Sequence, residues 1–286
     1  MRDSFLKSSP VSQVTSSSSI PLDEAVIQRL IDLAEDAGRA ILSFYEQDAE
    51  VREKSDASPL TAADLASHHK IMEGLRALMP SVPVLSEESA PINAVERLAW
   101  STFWLVDPLD GTKEFLQRNG EFTVNIALID HHMPSLGIVH VPAQKRTYVG
   151  RVGDGAFLLG PDRRKTSIRI SEEAQDPLRV LGSRSHPTPD LDAYLLDQGA
   201  FVMEAVGSSL KFCRVAEGSA DLYPRFGPTS EWDTAAGQAV LEAAGGHVID
   251  LQGRPLRYNL NTSLLNPYFL AFGDSGRNWM PGPPRI

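Results

Sequence analysis

From Val26 onward the apolar positions return every three or four residues, at Leu30, Leu33, Ala34, Ile41 and Phe44. That spacing lays one apolar stripe along a helix. Pro21, Asp23 and Glu24 suit its first turn, where proline forfeits no hydrogen bond and an acid meets the positive end. A second helix is predicted from Thr61, because Thr61-Ala62-Ala63-Asp64 resembles a capping box with Asp in place of Glu. Leu65, His68, Met72, Leu75 and Met79 form its apolar stripe, and Pro80 ends it. Strand-like runs follow at 82–85, 103–106, 122–129, 136–141 and 148–152. In the third, Phe122, Val124, Ile126 and Leu128 alternate with more polar neighbours, which predicts an antiparallel strand buried on one side.

Past Pro161 the texture changes. Short strand-like runs at 168–170, 178–181, 201–205 and 247–249 alternate with helical stretches at 191–198, 208–217 and 231–244, which suggests a three-layer α/β half. Gly218 and Gly245-Gly246 stand where helices end. A soft boundary near 160 divides the chain into an α+β half, 21–160, and an α/β half, 161–272. Residues 1–20 include Ser16-Ser17-Ser18-Ser19 and lack the apolar core of a secretory signal, so they read as a disordered leader. Residues 273–286, with Pro281, Pro283 and Pro284, read as a loose tail. No internal repeat is visible.

Composition narrows the function. The chain has 286 residues, 42% apolar, enough for one large core or two smaller ones. Its net charge of −10 argues against binding a nucleic acid polymer, while leaving room for a small phosphate compound beside a few local cations. The single cysteine, Cys213, excludes an internal disulfide and a cysteine-based zinc cluster, and it fits a reducing compartment. Cys213 sits mid-helix among apolar residues and reads as a buried thiol. No apolar run is long enough to span a membrane. Gly153-Asp154-Gly155 is a turn, since the third glycine of a dinucleotide fingerprint is missing. Neither His68-His69, on a helix, nor His131-His132, which suits a hairpin turn, has zinc spacing.

The chemistry concentrates where the apolar run Phe103-Trp104-Leu105-Val106 meets Asp107-Pro108-Leu109-Asp110-Gly111-Thr112. Two hard oxygen ligands at a strand exit can face one cation, and Gly-Thr can open a helix whose N–H groups face an anion. An ordinary Asp-Pro, Asp-Gly loop is the plainer alternative. Glu87, in Ser86-Glu87-Glu88-Ser89, also follows a strand. Asp64 and Asp233 fall three positions after a capping Thr or Ser, where an acid stabilises a helix start by about 0.3–1 kcal/mol. Together these acids would repel one another and weaken the fold unless divalent cations stood between them.

These residues carry a family likeness. Asp107-Pro108-Leu109-Asp110-Gly111-Thr112, Glu87-Glu88-Ser89 and Trp232-Asp233-Thr234-Ala235-Ala236-Gly237 resemble the signature blocks of the inositol monophosphatase superfamily. Ser58-Pro59-Leu60-Thr61-Ala62-Ala63-Asp64 extends the match. Lys113-Glu114-Phe115, the run from Arg118 to Ile129, Gly207-Ser208-Ser209-Leu210-Lys211-Phe212-Cys213 and Leu222-Tyr223-Pro224-Arg225-Phe226-Gly227-Pro228-Thr229 resemble its bacterial 3′(2′),5′-bisphosphate nucleotidase branch. The likeness covers roughly 22–270. It implies a layered α-β-α-β-α sugar-phosphatase fold and a lithium-sensitive phosphomonoesterase with two or three Mg2+ ions per site. It implies hydrolysis of the 3′-phosphate of adenosine 3′,5′-bisphosphate to AMP, activity on 3′-phosphoadenylyl sulfate, and a link to sulfur assimilation.

Carried over position by position, Glu87, Asp107, Asp110 and Asp233 match the magnesium ligands, with the Leu109 carbonyl. Asp64 and Thr112 match the catalytic pair that orients and deprotonates the attacking water. Glu87, Leu109, Asp110, Gly111, Thr112 and Asp233 would meet the scissile phosphate. Ser208 and Lys211 would meet the second phosphate or the ribose; an exposed helix lysine is the alternative for Lys211. Arg184 and, less so, Arg225 are further candidates for substrate contact. The resemblance implies a cytoplasmic monomer, with association at the inner membrane and oligomers left open. The rivals are an inositol or other sugar phosphatase with the same machinery, and a non-catalytic nucleotide or metal sensor.

Overall fold

A computed structural model describes residues 22–45, 59–89, 91–182 and 189–281. The expected leader and Arg184 lie outside the described residues. Helices α1 (Glu24–Tyr45) and α2 (Pro59–Leu78) pack together as an outer layer. α1 buries Ile27, Leu30, Ile31, Ala34 and Ile41; of the expected stripe Leu30, Ala34 and Ile41 are buried, while Val26, Leu33 and Phe44 stand half-buried beside Ile27 and Ile31. Asp23 Oδ1 accepts the Val26 N–H at 2.8 Å and starts it. α2 begins at Pro59, before the expected Thr61, so Thr61 lies inside the first turn and is not the N-cap that a capping box requires. Its inward face is Ala63, Asp64, Ser67, Ile71 and Leu75; Leu65 and His68 of the expected stripe stand half-buried beside it.

The second layer is a seven-stranded sheet in chain order: β1 (Val84–Ser86), β2 (Thr102–Asp110), β3 (Thr123–Asp130), β4 (Met133–Val141), β5 (Arg146–Arg151), β6 (Gly155–Leu159) and β7 (Lys165–Ile168). β1 and β2 run parallel, with helix α3 (Ala94–Leu98) between them; every other neighbouring pair is antiparallel. Helix α4 (Thr112–Gln117) links β2 to β3. The first sheet thus runs through Ile168, past the soft boundary expected near 160. The strand expected at 168–170 is β7, ending at Ile168. β3 is buried on two faces, where one was expected: Val124, Ile126 and Leu128 join the core under α1 and α2, while Ala127 and Ile129 join the core of the middle layer.

Five more strands form a second sheet in the order β11-β12-β10-β8-β9. They are β8 (Leu178–Gly182), β9 (Phe201–Ala205), β10 (Leu222–Arg225), β11 (His247–Asp250) and β12 (Phe269–Phe272). Helix α5 (Pro189–Gln198) covers the outer face through Leu191, Tyr194 and Leu195. Helices α6 (Leu210–Ala216) and α7 (Ala235–Ala243) lie between the sheets. The helix expected over 231–244 is two pieces, a 3-10 turn Glu231–Asp233 and then α7. The layers are therefore α-β-α-β-α. α7 lies flat on the first sheet because Gly137 and Gly150, a cross-strand pair, leave room for it. A Cβ at Gly137 would stand 2.2 Å from the Ala236 carbonyl oxygen, and one at Gly150 2.4 Å from Val240 Cα. This contact fixes the height of Asp233, two residues before α7.

The tail expected from 273 is not loose up to its last described residues. Trp279 is buried against Phe272, its indole N–H donates to the Asp274 carbonyl, and its own carbonyl accepts from the Tyr194 hydroxyl. Among the described residues, no helix is long and apolar enough to cross a membrane.

Candidate active site

The acids gather because two local irregularities aim them. Pro108 has no N–H to give the β2–β3 ladder, and a bulge results: Asp107 pairs with Asn125, Asp110 with Thr123, and the register shifts between them. Asp107 Oδ1 accepts the Leu109 N–H at 3.0 Å, and the Pro108 carbonyl accepts the Ser67 hydroxyl from α2 at 2.7 Å. That second bond ties α2, and with it Asp64, to the acidic turn. Gly111 then takes φ +92°, a left-handed conformation that favours glycine, and α4 starts at Thr112. Asp233 reaches the site from the other sheet's side. It closes a capping box with Ser230, accepting the Ser230 N–H at 2.9 Å, so its structural and functional readings hold together.

The electrostatics match those of a cation site. Burial raises Asp107 well above the usual carboxylate range, and Asp110, Glu87, Asp233 and Asp64 raise it further. Burial likewise lifts Glu87 to about 7, with Asp110 and Glu88 adding to it. Asp233 rises to about 7 through burial and Asp110, against the Ser230 hydrogen bond. Asp64 rises to about 8 through burial, Glu88 and Glu87. Two carboxyl pairings stand out, Glu87 with Asp107 and Asp64 with Glu88. Each needs a proton where two carboxylates would otherwise repel, and a divalent cation can take the place of those protons.

The donor set therefore fits a hard cation. Glu87, Asp107, Asp110 and Asp233 offer carboxylate oxygens, and Leu109 lies in the bulge between two of them. Among the described residues no three acidic, His or Cys side chains are already drawn together as a closed cage. Protein donors hold several of them apart: Leu109 N–H holds Asp107, Ser209 holds Asp110 and Ser230 N–H holds Asp233. Asp64 Oδ1 is buried with no hydrogen-bond partner. The expected Asp64–Thr112 bond is not formed; Asp64 is paired with Glu88, and Thr112 is exposed at the start of α4.

Beside the acids lies a cleft of about 230 Å³, lined by Asp110, Thr112, Ser208, Lys211, Tyr223 and Arg225. Lys211 is not an exposed helix lysine. It is 6% exposed, its Nζ donates to the Ser208 carbonyl at 2.7 Å and the Val206 carbonyl at 3.2 Å, and it sits 5.1 Å from the Tyr223 ring centre. Burial lowers its ammonium to about 8. Ser208 lines the same cleft at φ +48°, with its hydroxyl donating to the Glu121 carbonyl. Cys213 is a buried free thiol, His131 and His132 form the β3–β4 turn, and His68 Nδ1 lies 2.9 Å from Ser86 Oγ.

Sequence reasoning missed Asn125, Ser209 and Ser67. Asn125 Nδ2 donates to Asp110 Oδ2, Ser209 grips the same oxygen through its N–H and hydroxyl, and Ser67 is fully buried. A signal existed: Thr123 and Asn125 are polar at alternate positions of a strand flanked on every side by apolar runs, which marks a buried polar face.

Known proteins share this outline. A family model described as the inositol monophosphatase family matches residues 22–271. The curated 3′(2′),5′-bisphosphate nucleotidase CysQ of Escherichia coli (strain K12) is 52% identical over 246 residues, 85% of this chain and 98% of that protein. The protein of the same name in Buchnera aphidicola subsp. Acyrthosiphon pisum is 42% identical over 250 residues, 86% of this chain and 93% of its own. Among solved structures, CysQ from Bacteroides thetaiotaomicron superposes with a TM-score of 0.77 at 41% identity, covering 88% of this chain and 98% of that one. An inositol monophosphatase from Zymomonas mobilis superposes with a TM-score of 0.73 at 24% identity, covering 90% and 96%, and shares the fold.

Proposed function

The chain belongs to the inositol monophosphatase family, and from that premise we propose that it hydrolyses the 3′-phosphate of adenosine 3′,5′-bisphosphate to AMP and phosphate. The observation that carries this reading is the 52% identity with a bisphosphate nucleotidase across nearly that protein's whole length. The same reading extends to 3′-phosphoadenylyl sulfate and to sulfur assimilation.

The cation we assign is magnesium, two or three ions held by Glu87, Asp107, Asp110, Asp233 and the Leu109 carbonyl. Bound there, it supplies a Lewis acid that activates water and neutralises charge on the phosphoryl and leaving oxygens. The chain does the rest by position and proton handling, which is most of what phosphoryl transfer asks of a protein. Gly111 and Thr112 face the reacting phosphate from the turn after β2. Asp64 Oδ1, buried and open, is the acceptor assigned to the Thr112 hydroxyl, in place of the Glu88 pairing. Lys211, supported by Ser208 and Arg225, meets the second phosphate at the cationic end of the cleft. Inositol 1-phosphate has no second phosphate for that end to hold.

We further infer a monomeric cytoplasmic enzyme, in keeping with the buried free thiol of Cys213. The test is phosphate release from adenosine 3′,5′-bisphosphate and from inositol 1-phosphate at fixed magnesium, with lithium as inhibitor. A large preference for the nucleotide is expected. Equal or better turnover of inositol 1-phosphate would move the assignment to the sugar phosphatases.

A further inference from the structure

Asp110 is held differently from the other acids. A single oxygen, Oδ2, takes four donors: Ser209 N at 2.6 Å, Ser209 Oγ at 2.7 Å, Asn125 Nδ2 at 3.2 Å and Thr123 Oγ1 at 3.4 Å. None of these bonds uses Oδ1. Asn125 Nδ2 also donates to Ser209 Oγ at 2.8 Å, and that hydroxyl lies 2.6 Å from the Asp233 carbonyl. The one hydroxyl proton can serve Asp110 Oδ2 or the Asp233 carbonyl, so one serine at the start of α6 stands between an acid from β2 and the backbone of an acid before α7. The neighbouring acid on the far side of the sheet bulge, Asp107, has no such grip.

The arrangement is costly for the fold. Asn125 is 1% exposed, and its Oδ1 is buried without a partner. An unpaired buried acceptor destabilises a protein. On the same face of β3, two and four residues on, stand Ala127 and Ile129 in the apolar core. An apolar residue at 125 would pack there without that penalty.

We propose that Asn125 and Ser209 are positioning residues that fix Asp110 by Oδ2 and so reserve Oδ1 for the cation. The inference rests on the reading of Asp110 as a magnesium ligand. Groups that orient a metal ligand typically change metal affinity by about 10–100-fold when removed.

The test is calorimetric titration of magnesium into the full-length protein and its variants, with thermal melts alongside. Asn125→Leu and Ser209→Ala should each weaken magnesium binding by about 10–100-fold. Ser209→Thr, which keeps the hydroxyl, should recover most of the affinity. At saturating magnesium kcat should return towards the parent value, since position and not chemistry was lost. Asn125→Leu should melt close to the parent, because loss of the orphan acceptor offsets loss of the donor to Asp110 and Ser209. Ser209→Ala retains the backbone donor, removes one oxygen, and serves if the leucine variant fails to fold. Parent-like magnesium Kd in the folded variants would overturn the inference and leave the metal reading intact. A parent protein that takes up no magnesium would instead overturn the metal reading itself.

Discussion

Replacing Lys211 by Met separates what this residue does for binding from what it does for the fold. Burial holds the ammonium at about 8, below its ordinary 10.5. The unfolded lysine keeps its proton up to its ordinary value while the folded one releases it from about pH 8, so stability rises with pH across that window. At neutral pH the buried charge costs the fold on the order of 3 kcal/mol. Met removes that cost but leaves the Val206 and Ser208 carbonyls without this donor, at about 1–3 kcal/mol each. The two nearly cancel, so the melting temperature should change little. Binding has no such offset. A hydrogen bond to a charged group contributes about 1.5–3 kcal/mol, which corresponds to a KM for the bisphosphate raised roughly 10- to 150-fold. In the unmodified protein KM should be flat below pH 8 and climb above it by about tenfold per unit, since the free enzyme loses the cation there. Lys211→Arg keeps its charge and should remove that alkaline limb. The assay is initial-rate phosphate release between pH 6.5 and 9.5. A KM within twofold of the parent in Lys211→Met, or a parent KM flat through pH 9, would refute the assignment.

Two further outcomes follow from the packing and the charges. Asp64, Glu87 and Asp233 bind protons up to about 7–8 in the folded, metal-free chain, above their values of 3.8–4.5 as free groups. Their contribution to stability is therefore full at low pH and lost as pH rises through 7–8. The chelated protein should melt lower at pH 8 than at pH 6, and magnesium should raise its melting point more at pH 8; the opposite order in a thermal melt would contradict the shared-proton account. Gly137→Ala drives a methyl into the Ala236 carbonyl. It should destabilise the fold by about 1–3 kcal/mol and weaken magnesium binding through the displaced Asp233, read by melting and calorimetry; a neutral variant would show that α7 does not set that height.

Much of the site was legible because its acids sit at element ends, where the apolar pattern stops. Glu87, Asp107, Asp110 and Asp233 needed only a strand or helix terminus beside them. What the pattern hid was depth. The alternation in β3 read as a solvent face, yet Thr123 and Asn125 are buried and bond to Asp110, and Asn125 also bonds to Ser209 at the start of α6. Strand β10 spans four residues and Pro224 interrupts it, so no run marked it; β12, Phe269–Phe272, is an unbroken apolar run that escapes notice because it stands just before the glycine- and proline-rich end. Lys211 could not be told from a surface lysine until Tyr223 and the Val206 and Ser208 carbonyls enclosed it. Trp279 stood among glycines and prolines that suggested a tail; its burial depends on Tyr194, 85 residues earlier.

The reaction we propose is a magnesium-dependent attack at the 3′-phosphate of a bisphosphate nucleotide. Phosphorus NMR of adenosine 3′,5′-bisphosphate turnover, with magnesium or with a chelator, decides whether that reaction occurs. With magnesium, 5′-AMP and inorganic phosphate should form; under chelation, and in Asp110→Asn, there should be no turnover. Formation of adenosine 3′-phosphate, or undiminished turnover in the chelator, would contradict this mechanism.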